Sequence, residues 1–263
     1  MLSRLTRPRA VVVAAVPVVA LLATAVFAPL PFSLAQPGMT ANVLGKNQGT
    51  PVITVSGAKT RQTSGQLRMT TIEATNPDTR VSLSDVLSAW FAKDKAVMPR
   101  DSVYPSGQST KEIEQHNSAQ MKESQDAATQ AALKYLDLGA DQVKVTLRLA
   151  DVGGPSAGLL FTLGIIDKLD GDGSGGDLTG GRTIAGTGTI DADGKVGAVG
   201  GVALKTQAAR RDGATVFLVP KDECTDAKSE LPKGLRLIPV TTLKGAVNSL
   251  VALETGKGSL PHC

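Results

Sequence analysis

The amino-acid sequence predicts a mixed α/β (α+β) domain, and three observations support this prediction. After position 142, segments with strand patterns alternate with segments of helical pattern. The alternating run QVKVTLRL at 142–149 leads into a Gly-Gly-Pro-Ser turn, and an apolar helix follows that turn. A helix opened by two glycines at 200–201 runs into ATVFLVP at 214–220, a continuous apolar strand of the kind that lies inside a sheet.

Composition fits a folded domain and argues against nucleic-acid binding. The chain has 263 residues and 28 glycines with only 3% aromatic residues, which suits short strands and close backbone packing. The formal net charge is +4, and subtracting Arg4, Arg7 and Arg9 at the N-terminus leaves +1 for the rest. Because no basic stripe is interleaved with aromatic residues, we expect no nucleic-acid partner.

The N-terminal region has the pattern of a membrane anchor. Residues 10–28, AVVVAAVPVVALLATAVFA, contain no charge, and a bilayer span needs roughly 20 such residues. The arginines before this segment predict a cytoplasmic N-terminus at 1–9 and an exported body. A cleaved signal peptide shares the basic start but has a shorter apolar core. We therefore expect an uncleaved anchor at 10–30 and an exposed linker at 31–50, with Pro37-Gly38 as a turn.

Four further elements are predicted before the serine turn. The β-branched runs PVITVSG at 51–57 and GQLRMTTIEA at 65–74 indicate two strands, with a hairpin as one arrangement. SLSDVLSAWF at 82–91 has apolar residues at helical spacing, and this helix is expected to bury Trp90 in the core. Residues 109–136 form the longest helical pattern.

After the serine turn, the patterns complete the domain predicted over 51–255. The Asp- and Gly-rich stretch 170–181 begins like a calcium loop, but Gly181 stands where a bidentate Glu is required. We therefore expect a flexible surface loop without a metal. A strand at 182–190 and a DADG turn predict a hairpin, and a strand at 235–240, a closing helix and a tail at 256–263 follow.

Ser156 is the first candidate for chemistry. Gly154 and Pro155 force a sharp turn, and Ala157 leads into the apolar helix. This sequence places Ser156 at a helix N-terminus, where free N–H groups and the dipole favour a developing negative charge. A nucleophile with an adjacent oxyanion site needs that arrangement. The alternative is that Ser156 only caps the helix.

A base for Ser156 has to be found among few residues. The two histidines, His116 and His262, lie in a polar helical stretch and next to the last residue. A lysine can replace histidine if burial lowers its pKa by several units. Lys205 lies among apolar residues of the Gly-Gly-initiated helix, whereas Lys195 and Lys221 have exposed contexts. The alternative for Lys205 is a side chain that reaches solvent from an amphipathic helix.

These segments resemble a known family. GPSAG at 154–158, TGT at 187–189 and GGVALKTQAARRDGATVFLVP at 200–220 are similar to the proteolytic domain of Lon-type serine–lysine peptidases. QMKESQDAATQAAL at 120–133 and GQLRMTT at 65–71 resemble its long helix and first strand. VLG at 43–45, DVGGPSAGLLF and AGTGTIDADG bring the sequence nearest to the membrane-anchored, exported Lon-like proteases.

The resemblance implies roles for individual residues. Ser156 matches the nucleophile, Lys205 the general base, and Thr187 the threonine that orients the lysine. Gly154, Pro155 and Ala157 support the turn. Two departures stand out, because no G-x-x-x-x-G-K-[ST] motif is present and only about fourteen residues separate the long helix from the serine turn. That separation leaves no room for the PDZ module that many exported relatives insert there.

The sequence therefore predicts a membrane-anchored, ATP-independent serine endopeptidase, without cofactor or metal, that acts on exported or misfolded protein segments. Protein or peptide substrates are the expected partners, and the resemblance adds a homo-oligomer as one form of assembly. An inactive ectodomain that serves as a scaffold remains an alternative. A phosphate or nucleotide binder is disfavoured, because AGTGTI lacks the G-x-G-x-x-G order.

The two cysteines, Cys224 and Cys263, lack the spacing of a metal site. Outside the cytoplasm they would form one disulfide, and inside it two unrelated thiols. Their state therefore follows from the compartment.

Overall fold

The computed structural model describes residues 7–104, 110–149, 152 and 154–263. The helices in these ranges are α1 Arg7–Phe27, α2 Leu83–Phe91, α3 Arg100–Val103, α4 Thr110–Tyr135, α5 Gly158–Leu169, α6 Val202–Arg211, α7 Cys224–Ser229 and α8 Leu243–Thr255. The strands are β1 Phe32–Asn42, β2 Lys46–Asn47, β3 Thr50–Pro51, β4 Ile53–Ser56, β5 Gln66–Ala74, β6 Ala96–Pro99, β7 Lys144–Leu147, β8 Thr183–Gly186, β9 Thr189–Ile190, β10 Val196–Gly197, β11 Val216–Pro220 and β12 Arg236–Val240. A 3-10 turn, Lys221–Glu223, precedes α7. The chain divides into a smaller compact unit, 1–35 with 74–107, and a larger one, 36–73 with 108–263.

The larger unit is built on a mainly parallel sheet with strand order β12-β11-β8-β5-β1. Strand β11 runs parallel to both of its neighbours, and β8 runs parallel to β5. All five residues of β11 are buried. Val216 and Leu218 belong to one hydrophobic cluster, and Phe217 and Val219 belong to a second. Since alternate residues of a strand point to opposite faces, the sheet is covered on both sides.

Helix α5 is the centre of the first cluster. Every residue from Gly158 to Asp167 is buried, and the helix packs against α4 and α8. Two glycines allow close approach on this helix. A Cβ at Gly164 would lie 2.7 Å from Ile53 Cδ1, and one at Gly158 would lie 2.9 Å from Ser124 Oγ. The predicted apolar helix after the serine turn is thus present and fully enclosed.

The second cluster lies under α6 and α7. Val202 and Ala209 of α6 pack with Ala227 of α7 against Phe217 and Val219 of the sheet. This layer holds the helix that contains Lys205. Helices α4, α5 and α6 and strands β5, β11 and β12 all lie within a few residues of the sequence expectations, in agreement with a mixed α/β class.

Two expectations for the segment 31–50 require correction. The segment 31–50 is not an exposed linker, because β1 occupies most of it and Ala35 and Val43 are buried. Gly38 does not mark a turn there. A Cβ at Gly38 would lie 2.4 Å from Thr71 Oγ1, so glycine is needed for close contact with β5.

The strands at 51–57 and 65–74 also do not pair as a hairpin. Instead, β4 pairs antiparallel with β7, and β5 pairs with β8. These partners lie far away in sequence, where local patterns give no information on pairing.

The smaller unit contains α1, the start of β1, α2, β6 and α3. Phe32 to Ala35 of β1 pair antiparallel with β6. Helix α2 begins at a capping box formed by Ser82 and Asp85. Trp90 is not a core residue, because its exposed fraction is 71% and Ala89 is the residue that α2 buries. Helical spacing predicted the helix but not which face packs.

Helix α1 occupies the position of the expected membrane anchor at 10–30, and Pro17 lies inside it. Among the residues that the structure describes, no helix is both long and apolar enough to qualify as a bilayer span. The structure therefore does not support the transmembrane part of the expected fold.

Candidate active site

The turn before α5 presents Ser156. Gly154 has φ +86°, a conformation that favours glycine, and an added Cβ there would meet nothing within 4 Å. The glycine is thus required for the backbone conformation and not for space. Its N–H donates to the carbonyl of Asn117 in α4 at 3.1 Å. Ser156 itself is half-buried, while Ala157, which caps α5, is fully buried.

Two carbonyl groups fix this turn to the rest of the larger unit. The Ser156 carbonyl accepts from Gly188 N–H at 2.9 Å and from the Thr187 hydroxyl at 3.2 Å. The Pro155 carbonyl accepts from Ser124 Oγ of α4 at 2.9 Å. Sequence reasoning did not single out Ser124, although it lies in the MKES segment that carries the family resemblance. These bonds hold the serine backbone in place from two sides.

Lys205 lies in α6 with only 4% of its surface exposed. Its Nζ donates to the Thr187 hydroxyl oxygen at 3.2 Å, and Thr187 is fully buried. Because the same hydroxyl donates to the Ser156 carbonyl, Thr187 connects the lysine amine with the serine turn. The three residues named from sequence as nucleophile, base and orienting threonine thus meet in one place.

Burial changes the acid–base behaviour of Lys205. Loss of solvent lowers the pKa of its ammonium group to about 8, although the Coulombic attraction of Glu223 and Asp226 acts in the opposite direction. The alternative of a lysine that reaches solvent is therefore excluded by its burial. A primary amine with this pKa is partly neutral at mildly alkaline pH and can accept a proton.

The start of α6 explains how the lysine reaches this position. Gly201 has φ +67°, and a Cβ there would lie 2.9 Å from Ile72 of β5. Asp226 of α7 accepts from the N–H groups of Val202 and Ala203 at 2.8 and 3.3 Å. A carboxylate at a helix N-terminus stabilises the helix through its free N–H groups and dipole. Asp226 was missed from sequence, because it reaches α6 from a separate helix.

A disulfide joins Cys224 to Cys263, with a Cα–Cα distance of 5.3 Å. Cys224 is the first residue of α7, and Asp226 follows two positions later. The disulfide therefore attaches the C-terminal tail to the helix that caps α6.

A cavity of about 440 Å³ adjoins the serine turn. It is lined by residues of β1, β5, α4 and the segment before the turn, namely Gly38, Met39, Thr71, Ile72, Glu73, Asn117 and Val152. This cavity was not foreseen, since its walls come from four separate stretches of sequence.

The other titratable candidates lie outside this site. His116, Lys195 and Lys221 are exposed, as their sequence contexts predicted, and His262 is exposed as well. The geometry therefore combines a half-buried hydroxyl, a buried amine with a lowered pKa and the N-terminus of a helix. Such a combination can activate a hydroxyl for attack and stabilise an oxyanion.

Comparison with known proteins identifies the family. The sequence model of the Lon protease (S16) C-terminal proteolytic domain matches residues 120–252, just over half of the chain. The chain belongs to this Lon proteolytic-domain family. It therefore contains a domain of the serine peptidase class, a class of hydrolases.

Individual Lon proteases match shorter stretches. The Lon protease of Chloroflexus aggregans is 39% identical over 93 residues, which cover 34% of this chain and 10% of the relative. Those of Metamycoplasma arthritidis and Azospirillum brasilense are 37% and 33% identical over 90 and 105 residues, or 33% and 38% of this chain and 10% and 12% of each relative. The matched segment thus spans about a tenth of the length of these relatives.

Proposed function

We propose that this chain is a serine endopeptidase with a Ser156–Lys205 dyad that works without ATP. The observation that carries the proposal is the hydrogen-bonded connection from buried Lys205 through Thr187 to the Ser156 backbone. A buried amine with a lowered pKa is costly to keep in a protein interior, and proton transfer is a function that needs it. The family membership supports the same chemistry.

The proposed reaction has two stages. Neutral Lys205 Nζ accepts the proton of Ser156 Oγ while Oγ attacks the peptide carbonyl carbon and forms a C–O bond. Backbone N–H groups around Ser156 stabilise the oxyanion. The C–N bond then breaks, and the lysine ammonium returns its proton to the leaving amine. In the second stage, water attacks the acyl carbonyl carbon while Lys205 Nζ accepts a proton from it. The bond between this carbon and Ser156 Oγ then breaks, and the lysine ammonium returns the proton to Oγ.

Thr187 is proposed as a positioning residue. Its hydroxyl accepts from Lys205 and donates to the Ser156 carbonyl, so both of its hydrogen-bonding functions are used. This arrangement keeps the amine near the turn that carries the nucleophile.

Cleavage of an unfolded protein tests the proposal. The full chain in mild detergent, without nucleotide, is incubated with reduced casein beside Ser156→Ala and the matched control Ser174→Ala, at an exposed position of the 170–181 loop. We expect cleavage by the parent and the control and none by Ser156→Ala, with a serine-reactive fluorophosphonate labelling only the first two. Persistent cleavage by Ser156→Ala would contradict the dyad. A folded parent that neither cleaves nor labels would favour the scaffold alternative.

We also propose that the domain works outside the cytoplasm, attached to a membrane through the N-terminal segment, on exported or misfolded proteins. The disulfide supports the compartment, because such bonds persist in oxidising surroundings. The uncharged run at 10–28 behind three arginines supports the attachment. Fractionation with a carbonate wash, followed by thiol labelling without reductant, tests both. A washed-off chain contradicts the attachment, and two labelled thiols contradict the compartment.

A further inference from the structure

The cavity beside the serine turn contains one charged group among its described lining residues. Glu73, in β5, is exposed there, and its carboxylate accepts a hydrogen bond from Gln36 Nε2 at 3.1 Å. Among the described residues, no ion pair includes Glu73. Its carboxylate is hydrogen-bonded to the neutral amide of Gln36. The carboxylate is therefore available to a cation that enters the cavity.

Arg211, a basic side chain that contacts one of the lining residues, does not cancel this charge. Arg211 donates to the carbonyl of Gly38, which also lines the cavity, at 2.8 Å. The same guanidinium donates to both carboxylate oxygens of Asp212, at 2.9 and 3.1 Å. The charge of Arg211 is thus already paired with that of Asp212, so the negative charge of Glu73 in the cavity is not neutralised by Arg211.

The rest of the cavity suits a long aliphatic stem. Met39 of β1 and Ile72 of β5 are apolar lining residues, and Val152 is a third. Met39 is 42% exposed although it is a large apolar residue. Lysine and arginine side chains pack such stems on apolar surface while their charged ends seek a carboxylate or water.

Both catalytic segments border this cavity. Val152 precedes Ser156 by four positions, a separation of at most about 14 Å along the chain. Asn117, another lining residue, accepts from Gly154 N–H in the serine turn. Ile72 lies against Gly201, whose carbonyl accepts the backbone N–H of Lys205 at 3.1 Å. A substrate side chain next to the reacting carbonyl therefore has this cavity within reach.

We propose that the cavity is a specificity site that binds a lysine or arginine side chain adjoining the cleaved bond, with Glu73 as the residue that selects its charge. The stem packs on Met39 and Ile72, and the cation pairs with Glu73. This inference rests on the proposed peptidase function. It adds a preference that neither the dyad nor the family membership specifies.

Cut-site mapping in reduced casein by mass spectrometry tests the preference. For the parent, we expect lysine and arginine to be enriched at one position flanking the cleaved bond. The enrichment is lost in Glu73→Gln and reverses toward acidic residues in Glu73→Lys. Glu230→Gln, an exposed glutamate beyond α7, is the matched control and keeps the parental map. Cut sites without basic enrichment, or a map unchanged in Glu73→Gln, would overturn the proposal.

A binding measurement keeps the inference independent of turnover. Two peptides that differ only by lysine or methionine at the selected position are titrated into Ser156→Ala by calorimetry. An exposed ion pair contributes up to about 1 kcal/mol, so we expect the lysine peptide to bind about fivefold more tightly. The difference disappears in Ser156→Ala combined with Glu73→Gln. Equal binding of both peptides overturns the specificity site even if cleavage is observed, whereas a lysine preference without any cleavage contradicts only the dyad.

Discussion

Lys205 and Asp167 are both ionisable residues in the interior of the larger unit, but their surroundings are built differently. Lys205 is 4% exposed and Asp167 is completely buried. Lys205 Nζ donates to one neutral hydroxyl, that of Thr187. Asp167 Oδ1 instead accepts from Leu178 N–H at 2.8 Å and lies 3.8 Å from the Arg61 guanidinium. The lysine amine therefore contacts a neutral hydroxyl, whereas the aspartate lies between a backbone N–H and a guanidinium.

The partners of Asp167 organise the glycine-rich loop at 170–181. Arg61 donates to the carbonyls of Asp167 and Gly175, at 3.0 and 2.8 Å, and pairs with Asp177 at 3.3 Å. Leu178, which donates to Asp167, is itself buried. The loop at 170–181, which we expected to be flexible, is thus held to the end of α5 by several hydrogen bonds and an ion pair, and Asp167 takes part in these contacts.

Burial moves the two pKa values toward each other. Burial raises the pKa of Asp167 to about 6, against the opposing effect of its hydrogen bond from Leu178. The pKa of Lys205 is lowered to about 8 by the same cause. Both groups therefore remain mainly charged at pH 7 at a cost to stability, and the proposed function uses the easier proton exchange of Lys205. Burial thus brings the pKa of both groups closer to neutral pH. Their hydrogen-bond and charge partners differ, and we infer that these partners determine whether the group takes part in catalysis.

Lys205→Met is the substitution with the largest expected effect, and it tests whether Lys205 differs from Asp167 in being catalytic. We expect casein cleavage to fall by about a thousandfold or more, since removing one member of such a catalytic unit costs about as much as removing all. The folded pKa of Lys205 lies below the 10.5 of the unfolded chain, so its charged form penalises folding fully below about pH 8, and the penalty is lost as the pH rises to 10.5. At pH 7, Lys205→Met should therefore be more stable than the parent, by up to about 3 kcal/mol.

Urea denaturation at pH 7 and pH 10, beside casein cleavage, checks both parts. The stability gap between Lys205→Met and the parent should shrink at the higher pH. Cleavage by the parent should rise as the pH passes about 8, where Lys205 loses its proton. Lys195→Met, which removes an exposed lysine, should change neither property. An unstable but active Lys205→Met would mean that this lysine is structural, like Asp167.

The sequence singled out Lys205, to which we assign the catalytic role in this comparison, and it did not single out Asp167. Ser156 and Lys205 lie in short local patterns, a Gly-Pro-Ser turn before an apolar helix and a Gly-Gly pair before an amphipathic one. Such patterns predict a local backbone conformation, because the residues within the pattern determine it. The family resemblance added Thr187, which no spacing argument would have chosen.

Residues that act through distant partners were not predictable in this way. Asp226 caps α6 from another helix, and Ser124 holds the Pro155 carbonyl from α4. The strand β1 was missed because its Pro37-Gly38 pair matches a turn signal, whereas Gly38 is there for contact with β5. Trp90 was placed in the core because helical periodicity does not state which face meets the protein. Each of these features depends on tertiary contacts that the local sequence does not encode.

A second prediction tests the structural role of Asp167. Asp167→Ala leaves Leu178 N–H without its acceptor and Arg61 with one carboxylate fewer, so we expect a loss of about 2–3 kcal/mol in the free energy of unfolding. The pH dependence of cleavage should keep its midpoint near that of the parent, because none of the contacts that Asp167 makes with the described residues reaches the proposed dyad. Chemical denaturation and a pH–rate profile measured on the same preparations check the two expectations.

Asp167→Asn serves as the matched variant, since it keeps an oxygen for Leu178 but does not titrate. The folded pKa of Asp167 is above its unfolded value of 3.8, so its contribution to stability is fully present below pH 3.8 and is lost as the pH rises through about 6. Relative to Asp167→Asn, the parent should therefore gain stability as the pH falls from 6 toward 4. A shifted midpoint of the pH–rate profile in either variant would contradict this expectation, because it would show that Asp167 affects the titration of the catalytic group.

The smallest expected effect comes from Thr187→Val, which removes the hydroxyl between Lys205 and Ser156 while keeping the side-chain volume. We expect cleavage to fall by about ten- to a hundredfold, in the range for loss of a positioned group in acid–base catalysis. The hydroxyl accepts a hydrogen bond that favours the charged amine, so its loss should move the midpoint of the pH–rate profile to lower pH. Thr187→Ser, which restores the hydroxyl, should recover most of the rate and the parental midpoint. If Thr187→Val lost stability while the midpoint of its pH–rate profile stayed at the parental value, Thr187 would have only a structural role, like Asp167.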